Sequence, residues 1–147
     1  EYVVKRGQGG DDDANNDLEA ILQAAKRYDE VDQIILVADN STYIRDIKLL
    51  KYIDVPIKII LTNINGPINP QYINLAYRSG GSIHTLNDDI YNYVLKTTKE
   101  SGASLKLGKY EYVINDDNLF EFKDPTLLKN YQGQKYDNPN MVQKFIQ

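Results

Sequence analysis

The stretch Ile34-Ile35-Leu36-Val37-Ala38-Asp39 decides the fold of this chain. Its aliphatic residues follow one another without a polar break, which is typical of a strand covered on both faces inside a parallel sheet. The polar residues Asn40, Ser41 and Thr42 follow at once. In an open α/β sheet, ligands bind at the carboxyl ends of the strands. We therefore predict a buried strand over residues 33–38, with Asp39 at the ligand-binding edge of the sheet.

The same pattern recurs further along the chain. Ile57 to Leu61 is a second unbroken aliphatic run, and residues 82–86 predict a short third strand. Apolar residues at helical spacing predict helices between and around these strands, at residues 14–28, 42–53, 70–79 and 88–98. Strands and helices in alternation predict βαβ units with right-handed crossovers. The expected fold is a three-layer α/β/α sandwich with a mainly parallel, Rossmann-like sheet.

Residues that cap helices mark the predicted helix ends. Asp13 is placed to cap the first helix, and Ser41 or Thr42 the second. Asn69 precedes Pro70, which suits the first position of the third helix, and Gly80-Gly81 is expected to end that helix.

The last third of the chain has a different pattern. Residues 105–107, 110–114 and 119–122 resemble strands, and Asn115 to Asn118 resembles a turn. We expect these residues to form an antiparallel β-hairpin. The alternation of apolar and polar residues is interrupted at Gly108, where we expect a bulge. The chain would then divide into an α/β domain at residues 1–100 and a C-terminal hairpin and tail at residues 101–147.

Composition narrows the classes of function. The 147 residues fit one domain, and the net charge of −4 with a pI near 5.0 argues against nucleic acid as the main partner. No apolar stretch reaches the length of a membrane span, so we expect no membrane insertion. The absence of cysteine excludes disulfides and thiolate metal sites. Both a cytoplasmic and a periplasmic or cell-envelope location remain open.

Two acidic stretches stand before predicted helices. Asp11-Asp12-Asp13 follows Gly9-Gly10, and Asp39 precedes Ser41 and Thr42. Helix capping and the helix dipole account for either stretch, but three adjacent carboxylates also repel one another, and Mg²⁺ or Ca²⁺ would relieve that repulsion. The candidate metal ligands are Asp12, Asp13 and Asp39, and the candidate ligand-binding residues are Asp11, Ser41 and Thr42.

Four segments in order resemble von Willebrand factor A domains. Gly9-Gly10-Asp11-Asp12-Asp13 leading into Leu18-Glu19-Ala20-Ile21 resembles the family's glycine-rich loop and helix, and the run ending at Asp39 resembles its apolar strand that ends in Asp-Gly. Residues 56–61 resemble the following strand, and residues 72–84 resemble its helix, Gly-Gly and short strand. The resemblance covers roughly residues 9–99.

The resemblance implies a metal-ion-dependent adhesion site, in which the family's Thr ligand falls on Asp13 or Asp12 and its strand-end Asp on Asp39. The family's Asp-x-Ser-x-Ser loop, which follows its first strand, is missing, and Asn40 replaces the family's Gly. We therefore expect weak or absent binding of Mg²⁺ or Ca²⁺, with Asp13 close to Asp39. We also expect a sheet completed by a missing N-terminal segment or by another chain.

Two functions from different classes follow. The leading interpretation is a non-catalytic protein-interaction module that binds a protein partner. The alternative is a receiver-like or phosphoryl-transfer domain, in which Asp11 and Asp12 would form the acidic pair, Asp39 the phospho-acceptor, and Thr62 the hydroxyl. Residues 82–86 contain no Lys, which a receiver would need at the end of a further strand.

Overall fold

The computed structural model describes residues 14–28, 30–41, 43–86 and 104–131. These residues form eight strands, two α-helices and two 3-10 helices. In chain order they are β1 (Ala14–Asn15), α1 (Asp17–Arg27), β2 (Ile34–Asp39), β3 (Tyr43–Ile44), a 3-10 helix (Ile47–Tyr52), β4 (Ile57–Thr62), α2 (Pro70–Ser79), β5 (Ser82–His84), β6 (Ser104–Leu107), β7 (Tyr110–Ile114), β8 (Phe120–Phe122) and a second 3-10 helix (Pro125–Tyr131). The predicted mixture of helices and strands is confirmed. The predicted helix 88–98 lies outside the described residues.

A parallel sheet with the strand order β2-β4-β5 forms the centre of the fold. Its register sets Ile34 beside Ile57 and Asp39 beside Thr62, so both long strands end at the same edge. The predicted parallel strands are therefore confirmed, although β5 ends at His84 and not at residue 86.

One face of this sheet forms the core. Ile57, Ile59 and Leu61 of β4 are fully buried, and α2 packs against β4 and β5 from that side. α2 also contacts the 3-10 helix Ile47–Tyr52, which in turn packs against α1. α1, the 3-10 helix Ile47–Tyr52 and α2 thus form one connected group.

The other face is exposed, so the prediction that β2 is buried on both faces is wrong. The side chains of Ile35 and Val37 are 61% and 65% exposed, and Ile60 beside Val37 is 36% exposed. Successive side chains of a strand point to opposite faces, and an aliphatic residue on an exposed face looks like a core residue in the sequence. We call Ile35, Val37 and Ile60 the open face.

The predicted helix at residues 42–53 is also wrong. The chain forms β3, turns, and then makes a 3-10 helix in which the Leu49 N–H donates to the Asp46 carbonyl at 2.8 Å. Apolar Ile47, Leu50 and Ile53 recur every three residues, which suits the three residues per turn of a 3-10 helix. The same spacing also occurs on one face of an α-helix, which explains the error.

The first helix begins later than the sequence indicates. Ala14 and Asn15 form β1, which pairs in parallel with β3, and α1 begins at Asp17 after an N-cap at Asn16. Asp13 is therefore not the N-cap. The Asn16 side chain makes no capping hydrogen bond, and the first N–H groups of α1 find a distant acceptor, described below.

The predicted ends of α2 are confirmed. Asn69 Oδ1 accepts from the Gln71 N–H at 3.0 Å, Pro70 occupies the first turn, and Gly80 ends the helix in the left-handed conformation at φ +66°. A Cβ at Gly81 would collide with the backbone of Ile57, so this glycine lets α2 return closely to β4.

The C-terminal strands form an antiparallel sheet in the order β6-β7-β8. The predicted turn at residues 115–118 is confirmed, with Asn118 at a left-handed φ of 57°. Gly108 has a φ of +60° and opens a two-residue turn, as in a type II′ hairpin, so the expected bulge is absent from these described strands. Buried Tyr112 and Phe120 join the core, and Tyr112 donates its hydroxyl to the Ile68 carbonyl at 2.8 Å.

Candidate functional site

Asp39 and Asn63 meet at the carboxyl edge of the parallel sheet. Asp39 ends β2, and Asn63 directly follows β4. Asn63 Nδ2 lies 3.3 Å from Asp39 Oδ1 and 3.4 Å from Oδ2. Because the two strands are in register, their two loops present these side chains together. We call Asp39, Ser41 and Asn63 the rim site.

Ser41 fixes the Asp39 carboxylate. Its N–H and its hydroxyl both donate to Asp39 Oδ1, each at 2.7 Å. These bonds, first the hydroxyl and then the N–H, with a smaller contribution from Asn63, lower the pKa of Asp39 below its ordinary value. Asp39 is therefore an ionised, partly exposed carboxylate at neutral pH.

Buried Asn40 holds the rim site in place. Its side chain is only 2% exposed. Asn40 Nδ2 donates to the Pro67 carbonyl, and the Asn69 N–H donates to Asn40 Oδ1, both at 2.9 Å. The loop after β2 is thus tied to the loop that leads into α2. In the sequence, Asn40 stands out only as a replacement for a glycine, so this role was not predicted.

Asn63 was also missed. It adopts a left-handed φ of 55°, and its Oδ1 accepts from Asn65 Nδ2 at 2.6 Å. Asparagine tolerates this conformation better than most residues. The available signal in the sequence was the recurrence of asparagine after an aliphatic strand, at Asn63, Asn65 and Asn69. Such a recurrence indicates a turn as readily as a ligand-binding site.

The structure describes two of the six predicted site residues and leaves the other four untested. Asp39 and Ser41 are in direct contact, as their places in the sequence allow. Asp11, Asp12, Asp13 and Thr42 lie outside the described residues, so the expected approach of Asp13 to Asp39 stays a prediction.

The described part of the rim site does not fit a hard cation. Asp39 is its one carboxylate, and the hydroxyl of Ser41 and the amide of Asn63 already bond to it. Among the described residues, no group of three or more His, Asp or Glu side chains is placed to hold a metal ion. Mg²⁺ prefers six oxygen ligands and Ca²⁺ six to eight.

A second acidic group caps α1 from a distance. Asp46 accepts from the N–H groups of Leu18 at 3.3 Å and Glu19 at 2.6 Å, and so supplies the cap that Asn16 lacks. Asp17 accepts from the Tyr72 hydroxyl at 2.7 Å. Burial raises the pKa of both Asp17 and Asp46, and the charge of Asp17 adds to the rise at Asp46. These carboxylates join α1 to the rest of the fold.

Ser82 and His84 interact on β5. Ser82 Oγ lies 2.7 Å from His84 Nε2. The two residues are two apart on one strand, so their side chains share a face and meet without any special arrangement.

No family model matches this chain, and neither does any curated protein or solved structure. Of the helices in the described ranges, none has both the length and the apolar character needed to cross a membrane.

Proposed function

We propose that this chain is a non-catalytic protein-interaction module resembling a von Willebrand factor A domain, with a degenerate metal-ion-dependent adhesion site. It binds its partner at the rim site through the Asp39 carboxylate. The single observation that supports this proposal is the contact of Asp39 with Ser41 and Asn63, which holds an ionised carboxylate at the edge of the sheet where α/β proteins bind ligands.

The chemistry of the rim site indicates a basic group on the partner. An ionised carboxylate forms its strongest hydrogen bonds with Arg or Lys side chains. Asp39 Oδ1 accepts from the N–H and the hydroxyl of Ser41, and Asn63 Nδ2 lies 3.4 Å from Oδ2. A guanidinium or ammonium group at the rim would form a charge-assisted hydrogen bond with this carboxylate.

The architecture of the complete module is part of the proposal. Parallel sheets occur almost only where both faces are covered, and α2 packs on one face. We propose a three-layer, Rossmann-like α/β/α sandwich in which a second layer covers the open face. An N-terminal segment or another chain completes the sheet.

The alternative, a receiver-like domain phosphorylated on Asp39, has less support. Ser41 donates twice to Asp39 Oδ1, which stabilises the carboxylate and weakens it as a nucleophile. Thr62 donates its hydroxyl to the Ala38 carbonyl at 3.2 Å, so this hydroxyl joins two strands. Incubation with acetyl phosphate and mass spectrometry separates the two functions, because only the receiver gains a phosphoryl group on Asp39.

Photo-crosslinking tests the interaction directly. Benzoylphenylalanine replaces Ile64, which is exposed beside Asn63, and the chain is irradiated in an extract of its source cells. We expect a protein adduct whose yield falls about tenfold in the Asp39→Asn variant, the change that corresponds to about 1.4 kcal/mol.

The matched control is Asp32→Asn, which removes an exposed carboxylate at the opposite end of β2. It should leave the adduct unchanged. An adduct that survives Asp39→Asn, or no adduct from residue 64, would contradict the proposed function.

A further inference from the structure

Asn65-Gly66 lies in the loop after β4, next to the rim site, and is the one Asn-Gly pair in the sequence. Asn65 is exposed, and its Nδ2 donates to Asn63 Oδ1 at 2.6 Å. Asn63 Nδ2 in turn lies 3.3 Å from Asp39 Oδ1. A chain of hydrogen bonds therefore leads from the Asn65 amide to the carboxylate of the rim site.

We propose that Asn65-Gly66 is a site of spontaneous deamidation, which adds a second carboxylate next to Asp39. Asparagine is among the thermolabile residues, and loss of its amide nitrogen gives aspartate or isoaspartate. This modification goes beyond the proposed function, because neither the reaction nor its effect on Asp39 requires a partner protein.

Gly66 has the properties that the attacking residue needs. It carries no side chain that would shield its backbone nitrogen, and an added Cβ would meet nothing within 4 Å, so the surrounding space is open. Within the described ranges, no acceptor receives a hydrogen bond from the Gly66 N–H. Glycine also tolerates the backbone angles that ring closure demands. The nucleophile and the amide that it attacks are therefore both accessible.

The reaction balances with water as its co-reactant. The Gly66 nitrogen attacks Cγ of Asn65, a new C–N bond closes a succinimide ring, and the bond from Cγ to Nδ2 breaks. Nδ2 leaves as ammonia and takes with it the proton of the Gly66 N–H. Water then opens the ring at either carbonyl, which gives aspartate or isoaspartate at position 65.

The product changes the electrostatics of the rim site. A carboxylate has no N–H group, so it cannot replace the hydrogen bond from Asn65 to Asn63 Oδ1. One amide side chain separates the new negative charge from Asp39, and a nearby like charge raises the pKa of a carboxyl group. We therefore expect the pKa of Asp39 to be higher after deamidation.

Asn40-Ser41 provides a comparison within the same chain. Serine is also a small residue, but the Asn40 side chain is buried, and its Nδ2 and Oδ1 are both hydrogen-bonded. An amide held at both ends cannot turn toward the next backbone nitrogen. We expect Asn40 to stay unmodified while Asn65 converts.

Peptide mapping tests the reaction. The purified chain is incubated in mildly alkaline buffer until a synthetic peptide of residues 59–78 has converted, and is then digested with trypsin beside an unaged sample. The tryptic peptide 59–78 contains three other asparagines, so fragmentation in the mass spectrometer assigns the converted residue. We expect conversion at Asn65 alone. Gly66→Ala should lose it, since the methyl group hinders the attack without contacting the rest of the fold.

NMR titration tests the effect on the rim site. The Asp39 carboxyl should titrate at higher pH in Asn65→Asp than in wild type. Asp124 is the matched control, because Thr126 donates to it through its N–H and its hydroxyl, as Ser41 does to Asp39. The pKa of Asp124 should be the same in both chains.

Two results would overturn the inference. One is a folded chain that stays unmodified at residue 65 while the synthetic peptide converts. The other is a pKa of Asp39 that does not rise in Asn65→Asp, or that rises no more than the pKa of Asp124. Failure of the proposed function is seen separately, in the crosslink from residue 64.

Discussion

The side-chain amide of Asn74 in α2 pairs with the backbone of Phe120 in β8 as a neighbouring strand would. Asn74 Nδ2 donates to the Phe120 carbonyl at 2.9 Å, and the Phe120 N–H donates to Asn74 Oδ1 at 2.6 Å. One turn earlier, Gln71 bonds to both the N–H and the carbonyl of Ile44 in β3. Two buried amides on one helix thus anchor two separate small sheets.

Replacing Asn74 with alanine should lower the free energy of unfolding by about 2–4 kcal/mol, because it leaves the buried N–H and carbonyl of Phe120 without these partners. Urea denaturation followed by circular dichroism measures this. Gln23→Ala on the exposed side of α1 is the control and should cost less than about 0.5 kcal/mol. Equal losses in the two variants would contradict the anchoring role.

Replacing Asp46 with alanine should lower the free energy of unfolding by about 0.5–2 kcal/mol, the range for loss of a helix N-cap. The N–H groups of Leu18 and Glu19 lose their carboxylate acceptor, so α1 should fray first. Hydrogen exchange at these two amides should accelerate. Asp54→Ala removes an exposed carboxylate and should change neither stability nor exchange.

Asp17→Asn should stabilise the chain at neutral pH, since it removes a charge that burial disfavours. Asparagine Oδ1 can still accept from the Tyr72 hydroxyl. The pKa of Asp17 is higher in the folded chain than its ordinary value of 3.8. As pH rises above 3.8, Asp17 therefore loses its proton first in the unfolded chain. The free energy of unfolding of the wild type then falls until the pH passes the pKa of Asp17 in the folded chain.

The difference in unfolding free energy between Asp17→Asn and wild type should accordingly be smallest below pH 3.8 and grow as pH rises. Urea midpoints at several pH values measure it. A gain that is largest in acid would show that the sign of the pKa shift is wrong.

Gly81→Ala should destabilise the chain by about 1–3 kcal/mol, since the new methyl group collides with the Ile57 backbone and forces a shift between α2 and β4. Gly66→Ala is the matched control. A Cβ there meets nothing within 4 Å, and the variant should be as stable as wild type or slightly more so. Thermal unfolding of both variants tests the contrast.

Calorimetric titration with Mg²⁺ or Ca²⁺ should show no binding tighter than about 1 mM, because Asp39 offers few of the oxygens that such ions need. Asp39→Ala should remove whatever weak heat remains. Micromolar binding that disappears in Asp39→Ala would instead show that the adhesion-type metal site is intact.

Local signals in the sequence were sufficient to predict some elements of the structure and insufficient to predict others. Asn69, Pro70 and Gly80 act within one helix, so their roles in α2 were predictable. The exposure of Ile35 and Val37 depends on what packs across the sheet, which an aliphatic run does not encode. Asp39 and Ser41 are close in sequence and were predicted together. Asn63 reaches Asp39 only because two strands end in register, and Asn40 and Asn74 are polar residues that a hydrophobic pattern places at the surface.

The Asn74–Phe120 pair has a consequence for the order in which the chain folds. The turns joining β6, β7 and β8 are short, and such hairpins close within about 1–10 μs. The two residues of the pair are 46 positions apart in the sequence, so bringing them together costs more loop-closure entropy than closing a short turn. We expect the three strands to form early and to dock on α2 late. Docking that comes late in folding is reversed early in unfolding, so the Phe120 amide should exchange through a partial opening at a free energy below that of global unfolding.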